Sequence, residues 1–321
     1  MPQKRFIVKS SVHRALNAVG DRWIQLILQE AFRGVTSFED FRVRTAASRN
    51  TLSNRLRAMI ASGILERRAE RTGGVRQVYH LTPMGRALFD SVLIAWCWGI
   101  RWDAASPSHS AGILHTTCGK SMLPRPVCRH CREDILMHAC RHQPGPGAGM
   151  EETEVPRLHR RRQLSHAADS GQKGGDVLDL IGDRWTGLVI STQFFGIHRF
   201  DQIQATLDIA SNILTNRLQA LVRTGIFERR LYALGPPRYE YWLTRKGKDL
   251  YPQALALMLW GDRWLADSNG PPVVVTHIPC EHPIDLEVVC DQCRQPLTPE
   301  TVREKRARRQ SRAEAGGAGI A

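Results

Sequence analysis

The chain has 321 residues, enough for about two domains of ordinary size, each able to bury its own core. Hydrophobic residues make up 42% and charged residues 24%, which excludes a low-hydrophobicity disordered chain and a fibrous one. Lys and Arg number 45 against 31 Asp and Glu, a formal charge of +14, so a polyanion such as nucleic acid fits better than an acidic substrate or partner protein.

In chain order, the basic start Met1-Pro2-Gln3-Lys4-Arg5 is followed by neither a long apolar segment nor a small-residue cleavage site, so no secretory signal is expected. Leu16, Val19, Trp23, Leu26 and Ile27 keep the 3.6-residue spacing of one amphipathic helix, ended by Gly34. Phe38 to Val43 gives a short second helix with Phe38, Phe41 and Val43 as inward candidates. A third starts after Ser48, an N-cap type, and runs to about Ala61 with Leu52, Leu56, Met59 and Ile60 on its core side and Gly63 as its C-terminal stop. Two helices on a short turn, the second with Arg and Asn on its free face, form the helix-turn-helix pattern.

The period then changes to that of strands: Ile64 to Arg68, a Gly73-Gly74 turn and Gln77 to Leu81 predict a hairpin, which after a helix-turn-helix is a wing. Thr82 caps a closing helix with Leu88, Val92, Leu93, Trp96 and Trp102 inward. Its apolar stretch, Leu88 to Trp98, is interrupted by Asp90 and Ser91 and falls short of the ~18 residues of a membrane span, so no membrane partner is expected.

Next come His115, Cys118, Cys128 and Cys131, spaced His-x2-Cys-x9-Cys-x2-Cys. Two short ligand pairs around a loop suit one tetrahedral structural Zn²⁺ in a zinc-ribbon-like extension. His282, Cys140 or His130 are alternative fourth ligands. Eight cysteines in a leaderless chain point to the reducing cytoplasm, where clustered thiols hold metal or stay free. A flexible linker, with Pro144-Gly145-Pro146-Gly147 and Arg160-Arg161-Arg162, fills 143–172.

Beyond it the whole pattern returns at an offset of 162: Gly20-Asp21-Arg22-Trp23 as Gly182-Asp183-Arg184-Trp185, Leu52-Ser53-Asn54-Arg55-Leu56 as Leu214-Thr215-Asn216-Arg217-Leu218. The second wing is Ile226 to Leu231 and Tyr239 to Leu243, and Thr244 caps a closing helix carrying Leu250, Leu255, Leu259, Trp260 and Trp264. His277, Cys280, Cys290 and Cys293 repeat the ligand spacing, so up to two structural Zn²⁺ per chain are expected, one per copy. The expected domains are therefore 1–110 and 173–270 (winged helix-turn-helix), 111–142 and 271–300 (Cys/His extensions), and a disordered basic tail over 301–321. The fold class is mainly α with small β wings, as two tandem units.

Leu178-Asp179-Leu180-Ile181-Gly182-Asp183-Arg184-Trp185, Leu214 to Leu218, Gly225-Ile226-Phe227-Glu228-Arg229-Arg230 and Pro236-Pro237-Arg238-Tyr239-Glu240-Tyr241-Trp242-Leu243-Thr244 resemble the signature of HxlR-type winged-helix transcriptional regulators. The resemblance covers roughly Ser11 to Asp103 and Lys173 to Asp267. It implies a DNA-binding regulator, expected to act as a repressor, from a family whose members are mostly single-domain homodimers paired through their first and last helices. Two copies on one chain then imply an intramolecular pseudo-dimer, with or without a further homodimer, that reads a pseudo-palindromic operator in double-stranded DNA. Ser11 and Gly174 or Gly175 stand where many members carry an N-terminal cysteine, which speaks against a redox switch there.

With the apolar stripe inward, the first reading face is Arg49, Asn50, Ser53, Asn54 and Arg57, types that pair with guanine and adenine edges. The second is Ser211, Asn212, Thr215, Asn216 and Gln219, polar and nearly uncharged. Arg55 and Arg217 either contact phosphate or brace the domain, and the wing arginines Arg71, Arg76 and Arg238 face the minor groove or backbone. Residues 1–110 carry 17 basic and 8 acidic groups against 12 and 10 in 171–270, so the first unit should dominate non-specific binding. No nucleophile–base motif, phosphate-binding loop or open metal site suggests an enzyme; the alternative reading is a protein-interaction or thiol/zinc redox-sensing module. The effector is not legible.

Overall fold

The computed structural model describes residues 5–71, 75–102, 112–153 and 182–305. The first unit contains α1 (Ser11–Val19), α2 (Arg22–Phe32), α3 (Phe38–Thr45), α4 (Arg49–Ala61), the wing β2 (Leu65–Arg71) and β3 (Val75–Leu81), and α5 (Pro83–Arg86) with α6 (Phe89–Trp102). The second contains α7 (Arg184–Gln193), α8 (Phe200–Leu207), α9 (Ser211–Arg223), the wing β9 (Phe227–Leu234) and β10 (Pro237–Leu243), α10 (Arg245–Lys248) and α11 (Tyr251–Trp264). Both are the expected winged helix-turn-helix, and Ser48 caps α4 by accepting from the Thr51 N–H. No described helix is long and apolar enough to cross a membrane.

Two expected single helices are each two. The first breaks at Gly20-Asp21, where Asp21 accepts from the Trp23 and Ile24 N–H groups and starts α2 afresh. A Cβ on Gly20 would meet the Leu16 carbonyl at 2.5 Å and the Arg184 Cα at 3.3 Å, so this break also lets the other unit approach. The closing helix breaks because Thr82 and Thr244 cap only one turn, α5 and α10, before the chain restarts in α6 and α11. Val43, an inward candidate, is 66% exposed, and Phe41 alone of that helix's apolar side chains is fully buried.

The two units share one hydrophobic core. Their contacts exchange at equivalent positions 162 apart: the Trp98 indole donates to the Lys246 carbonyl at 3.0 Å, and the Trp260 indole to the Met84 carbonyl at 2.9 Å. Ser91 and Gln253, themselves equivalent, hydrogen-bond across α6 and α11 at 3.3 Å, and Asp21 pairs with its counterpart Asp183 in an antiparallel bridge. Reciprocal contact of this kind defines an isologous interface, here inside one chain. α1 packs on α11, with the Ser11 hydroxyl donating to Asp262.

The extensions depart from the expected separate ribbons. β6 (Pro124–Cys128) pairs with β13 (Leu286–Cys290), and Pro126 lies opposite its counterpart Val288. β7 (Cys140–Pro144) leaves its own unit to pair with β11 (Val273–His277), which also pairs with β12 (His282–Pro283); reciprocally β14 (Val302–Glu304) joins β4 (Ile113–His115) and β5 (Lys120–Met122). Each three-stranded sheet is therefore made by both copies. The reason is geometric: with β6 and β13 paired as neighbours, the strand after each crosses to the other copy's sheet edge. Consequently Gln143 and Pro144 are strand, not linker, as is β8 (Met150–Thr153), which pairs with β1 (Arg5–Val8). Val302 to Glu304 are likewise strand rather than tail, while 154–172 of the expected linker and 306–321 lie outside the described residues.

Candidate metal centres and nucleic-acid interface

Strand exchange decides which cysteines meet. His115 and Cys118 lie at the end of β4 and in the turn after it; beside them stand Cys290 and Cys293 from the other copy, and all four ligand atoms fall within 4.8 Å of one another. The second cluster is the mirror case, Cys128 and Cys131 with His277 and Cys280. This corrects the expected one-site-per-copy grouping: the eight residues are the expected ones, but each His-x2-Cys faces the other copy's Cys-x2-Cys. His282, Cys140 and His130 belong to neither cluster; the His130 and His282 rings stack on each other 4.6 Å apart.

The spacings suit a tetrahedral ion. With metal–sulfur bonds of ~2.3 Å and metal–nitrogen bonds of ~2.0 Å, tetrahedral edges are ~3.8 Å between sulfurs and ~3.5 Å between sulfur and nitrogen. Cys118 Sγ lies 4.0 Å from Cys290 Sγ and 3.4 Å from His115 Nδ1, and Cys293 Sγ lies 3.3 Å from the same nitrogen. In the second cluster Cys128 and Cys280 sulfurs are 3.8 Å apart, and His277 Nδ1 is 3.3 Å from Cys131 and 3.5 Å from Cys280. These sulfur separations are about twice a disulfide bond, and all eight cysteines of the chain are free. Both imidazoles are fully buried with Nδ1 turned to the sulfurs.

Each cluster holds one thiol pulled down and one pushed up. The Lys120 N–H, with smaller help from Cys293 and Cys290, lowers Cys118; burial raises Cys290. Burial opposes ionisation of Cys128, but hydrogen bonds led by the Cys131 and His130 N–H groups outweigh it, and Cys131 is raised by burial. Four protein ligands around one point suit a structural metal better than one that keeps an open position.

On α4, Leu52, Leu56 and Met59 are buried, which turns Arg49, Asn50 and Arg57 out to solvent with Ser53 and Asn54 partly exposed. The outer face is ordered: Arg57 Nη2 donates to Asn54 Oδ1 at 2.6 Å, and Asn54 Nδ2 donates to Asn50 Oδ1 at 3.3 Å. On α9, Leu214, Leu218 and Leu221 are buried and Ser211, Asn212, Thr215, Asn216 and Gln219 are exposed. Gln204 on α8 donates to the Ser211 hydroxyl at 2.7 Å.

Arg55 and Arg217 do not share these faces. Arg55 grips both carboxylate oxygens of Asp21 at 2.9 Å, and Arg217 Nη2 lies 2.7 Å from Asp183 in a pair under a tenth exposed. They brace the helix-turn-helix against the aspartates that cap α2 and α7, the second of the two roles their sequence left open. Arg71 and Arg76 lie on the first wing, but their side chains, like Gly73 and Gly74, are outside the described residues; Arg238 on the second wing is exposed. The sequence reading missed Asp21 and Asp183, although both sit in its most visible repeated tetrapeptide. It also missed a buried contact between units in which Arg184 reaches Asn17 and His13.

The family model for HxlR-like helix-turn-helix proteins matches the chain twice, over residues 18–106 and 180–269, just over half its length. Rv3095 of Mycobacterium tuberculosis, named an uncharacterized HTH-type transcriptional regulator, is 39% identical over 139 residues, 43% of this chain and 87% of the relative. YdeP of Bacillus subtilis, named likewise, is 34% identical over 89 residues, covering 27% and 70%. Among solved structures, PA1607 shares 30% identity over 44% of this chain and all of its own, with a TM-score of 0.38. Diamide-treated YodB from B. subtilis shares 33% over 27% of this chain and 86% of its own, with a TM-score of 0.24.

Proposed function

The chain belongs to the HxlR-like helix-turn-helix family, and from that premise we propose that it is a DNA-binding transcriptional regulator in which one chain does the work of a dimer. The observation that carries this reading is the reciprocal exchange of contacts at an offset of 162, Trp98 to Lys246 and Trp260 to Met84. Helix-turn-helix dimers read half-sites about one DNA turn, ~34 Å, apart, so α4 and α9 would take the two halves of a pseudo-palindrome. Arg57 stands where the second face has Gln219, and Arg49 where it has Ser211, so the halves would differ in sequence. Repression is the expected direction, through occupancy of DNA that polymerase would otherwise use.

Each cluster of three cysteines and one histidine would hold Zn²⁺, chosen over softer or harder ions by its all-protein sulfur and nitrogen donors and tetrahedral spacing. When bound, the ion would cross-link the copies and fix the angle between the two reading heads. The test is selection of bound sequences from a random duplex pool, followed by sedimentation of the complex. One chain per selected duplex, on a site with two unlike halves one turn apart, is expected. Two chains per duplex, or no sequence enrichment, refutes the reading.

A further inference from the structure

The two copies differ in charge where α7 and α8 of the second unit, and α2 and α3 of the first, meet the exchanged strands. In the first unit this place is ionic. Glu30 accepts from Arg33 at 2.5 Å and from Arg44 at 3.3 Å, and Arg33 also pairs with Glu304 at 3.2 Å. At an offset of 162 those four residues become Thr192, Phe195, Thr206 and, for Glu304, His142, so every charge is gone. What remains in the second unit is a cavity of about 380 Å³ with a mainly apolar lining, including Val8, Leu188, Phe195, Leu207 and Val273. That volume falls within the usual range for small-molecule sites.

Its wall is aromatic. The His142 ring stands edge-to-face with Phe195 at 5.4 Å and with Tyr251 at 5.6 Å, and Phe194 backs Tyr251 at 5.1 Å. Phe195 and Val8 are 43% and 50% exposed, large apolar groups left uncovered on the cavity's own surface. Among the polar groups that line it, His13 is one of the most deeply set in the fold. His13 is buried, and Arg184, which can only donate, faces its Nε2, so the proton sits on Nδ1. That N–H faces Glu151 Oε1 at 3.9 Å, an oxygen likewise without a closer partner, so a hydroxyl set between them would accept from His13 and donate to Glu151. The hydroxyls of Ser191 and Thr192, by contrast, already donate to carbonyls of their own helix.

We propose that this cavity binds a small, flat aromatic molecule carrying a hydroxyl or comparable acceptor, the ring lying against Phe195 and His142 and the acceptor reaching His13. Thr206 and Leu207, which belong to the first helix of the second helix-turn-helix, form part of the wall, so an occupant touches the reading head directly. The apolar site has one copy per chain: its counterpart in the first unit is an opening of about 790 Å³, but Arg33, Arg44, Arg86, Arg303, Glu304 and Lys305 line it with charge.

Calorimetric titration of the full chain with 2-naphthol tests this without any DNA, so its outcome is independent of the regulatory reading. Saturable binding at one molecule per chain is expected. Thr206→Trp should weaken it by about tenfold or more by filling the cavity, and Arg44→Trp at the counterpart position should leave it within about twofold. Phe195→Ser, at an already exposed position, repeats the test by removing the aromatic wall should Thr206→Trp lose its melting transition. No saturation by ~1 mM, two molecules per chain, or unchanged binding in a folded Thr206→Trp or Phe195→Ser variant overturns the proposal.

Discussion

Cross-copy pairing of the metal ligands makes a stoichiometric prediction that within-copy pairing reverses. Cys118→Ser with Cys290→Ser removes two sulfurs from one cluster and none from the other, because those two lie 4.0 Å apart across the copies. Cys118→Ser with Cys128→Ser, although both changes fall in one copy, takes one sulfur from each cluster. A tetrahedral ion needs all its edges near the ~3.5–3.8 Å that zinc–sulfur and zinc–nitrogen bonds impose. A cluster left with one histidine and one cysteine has a single edge, 3.3 Å between Cys293 and His115 in this case, and cannot enclose the ion. The first variant should therefore keep one equivalent of zinc at full affinity. The second should keep two weakened sites and give both up to a chelator that leaves the wild type loaded. The assay is metal quantitation after dialysis against graded chelator, with protein expressed in zinc-supplemented medium and never stripped. If the first variant lost both ions while the second kept one at wild-type affinity, the strand exchange would be wrong.

Arg57→Ala should reduce affinity for duplex DNA and lower the salt slope of binding by about one, whereas Gln219→Ala should leave the slope unchanged, as read by mobility shift across a salt series. Because Arg57 also holds Asn54 through its 2.6 Å hydrogen bond, the same variant should relax base preference in the first half-site. Arg217→Ala leaves Asp183 buried beside no guanidinium, at a cost of about 3 kcal/mol, seen as a lowered urea midpoint with an unchanged slope. Asp90 is pushed up to about 6 by burial, so the fold favours its protonated form. Its contribution is complete below the ordinary carboxyl value and is lost as pH rises through about 6. Asp90→Asn should then raise stability by about 2 kcal/mol at neutral pH and leave it nearly unchanged at about pH 4, measured by thermal melts over that range.

Local features of this fold were legible because local chemistry decides them. Ser48 caps the helix whose start it announces, and the stripe of Leu52, Leu56 and Met59 turns the reading face outward as its spacing requires. Gly20-Asp21 misled because amphipathic period is blind to a break that keeps the apolar stripe in phase: Leu16 and Val19 before it and Ile24, Ile27 and Leu28 after it enter one core. Whether Arg55 and Arg217 contact phosphate or brace the domain stayed open because a repeated arginine on a recognition helix carries no mark of what faces it. The partner, Asp21 or Asp183, is 34 residues earlier and becomes visible only when the helices pack.

Strand exchange was illegible for a deeper reason. Spacing within a copy constrains which cysteines share a turn: the His-x2-Cys and Cys-x2-Cys pairs each bring two ligands to one place, and both survive in the structure. It says nothing about which turn meets which, because in a tandem repeat every motif has two equivalent partners with the same local sequence. The choice falls to connectivity. A symmetric pair of identical subunits gains from such an exchange a junction that parts only when its strands unpair, and the same pairing in one chain adds a covalent tether. Divergence can then act on each copy separately while the junction between them stays symmetric. The ionic cluster of Glu30, Arg33, Arg44 and Glu304 and its neutral counterpart of Thr192, Phe195, Thr206 and His142 illustrate this. Here one copy lines this place with charge pairs and the other with apolar and aromatic groups, an asymmetry that a homodimer, whose two halves share one sequence, has no means to encode.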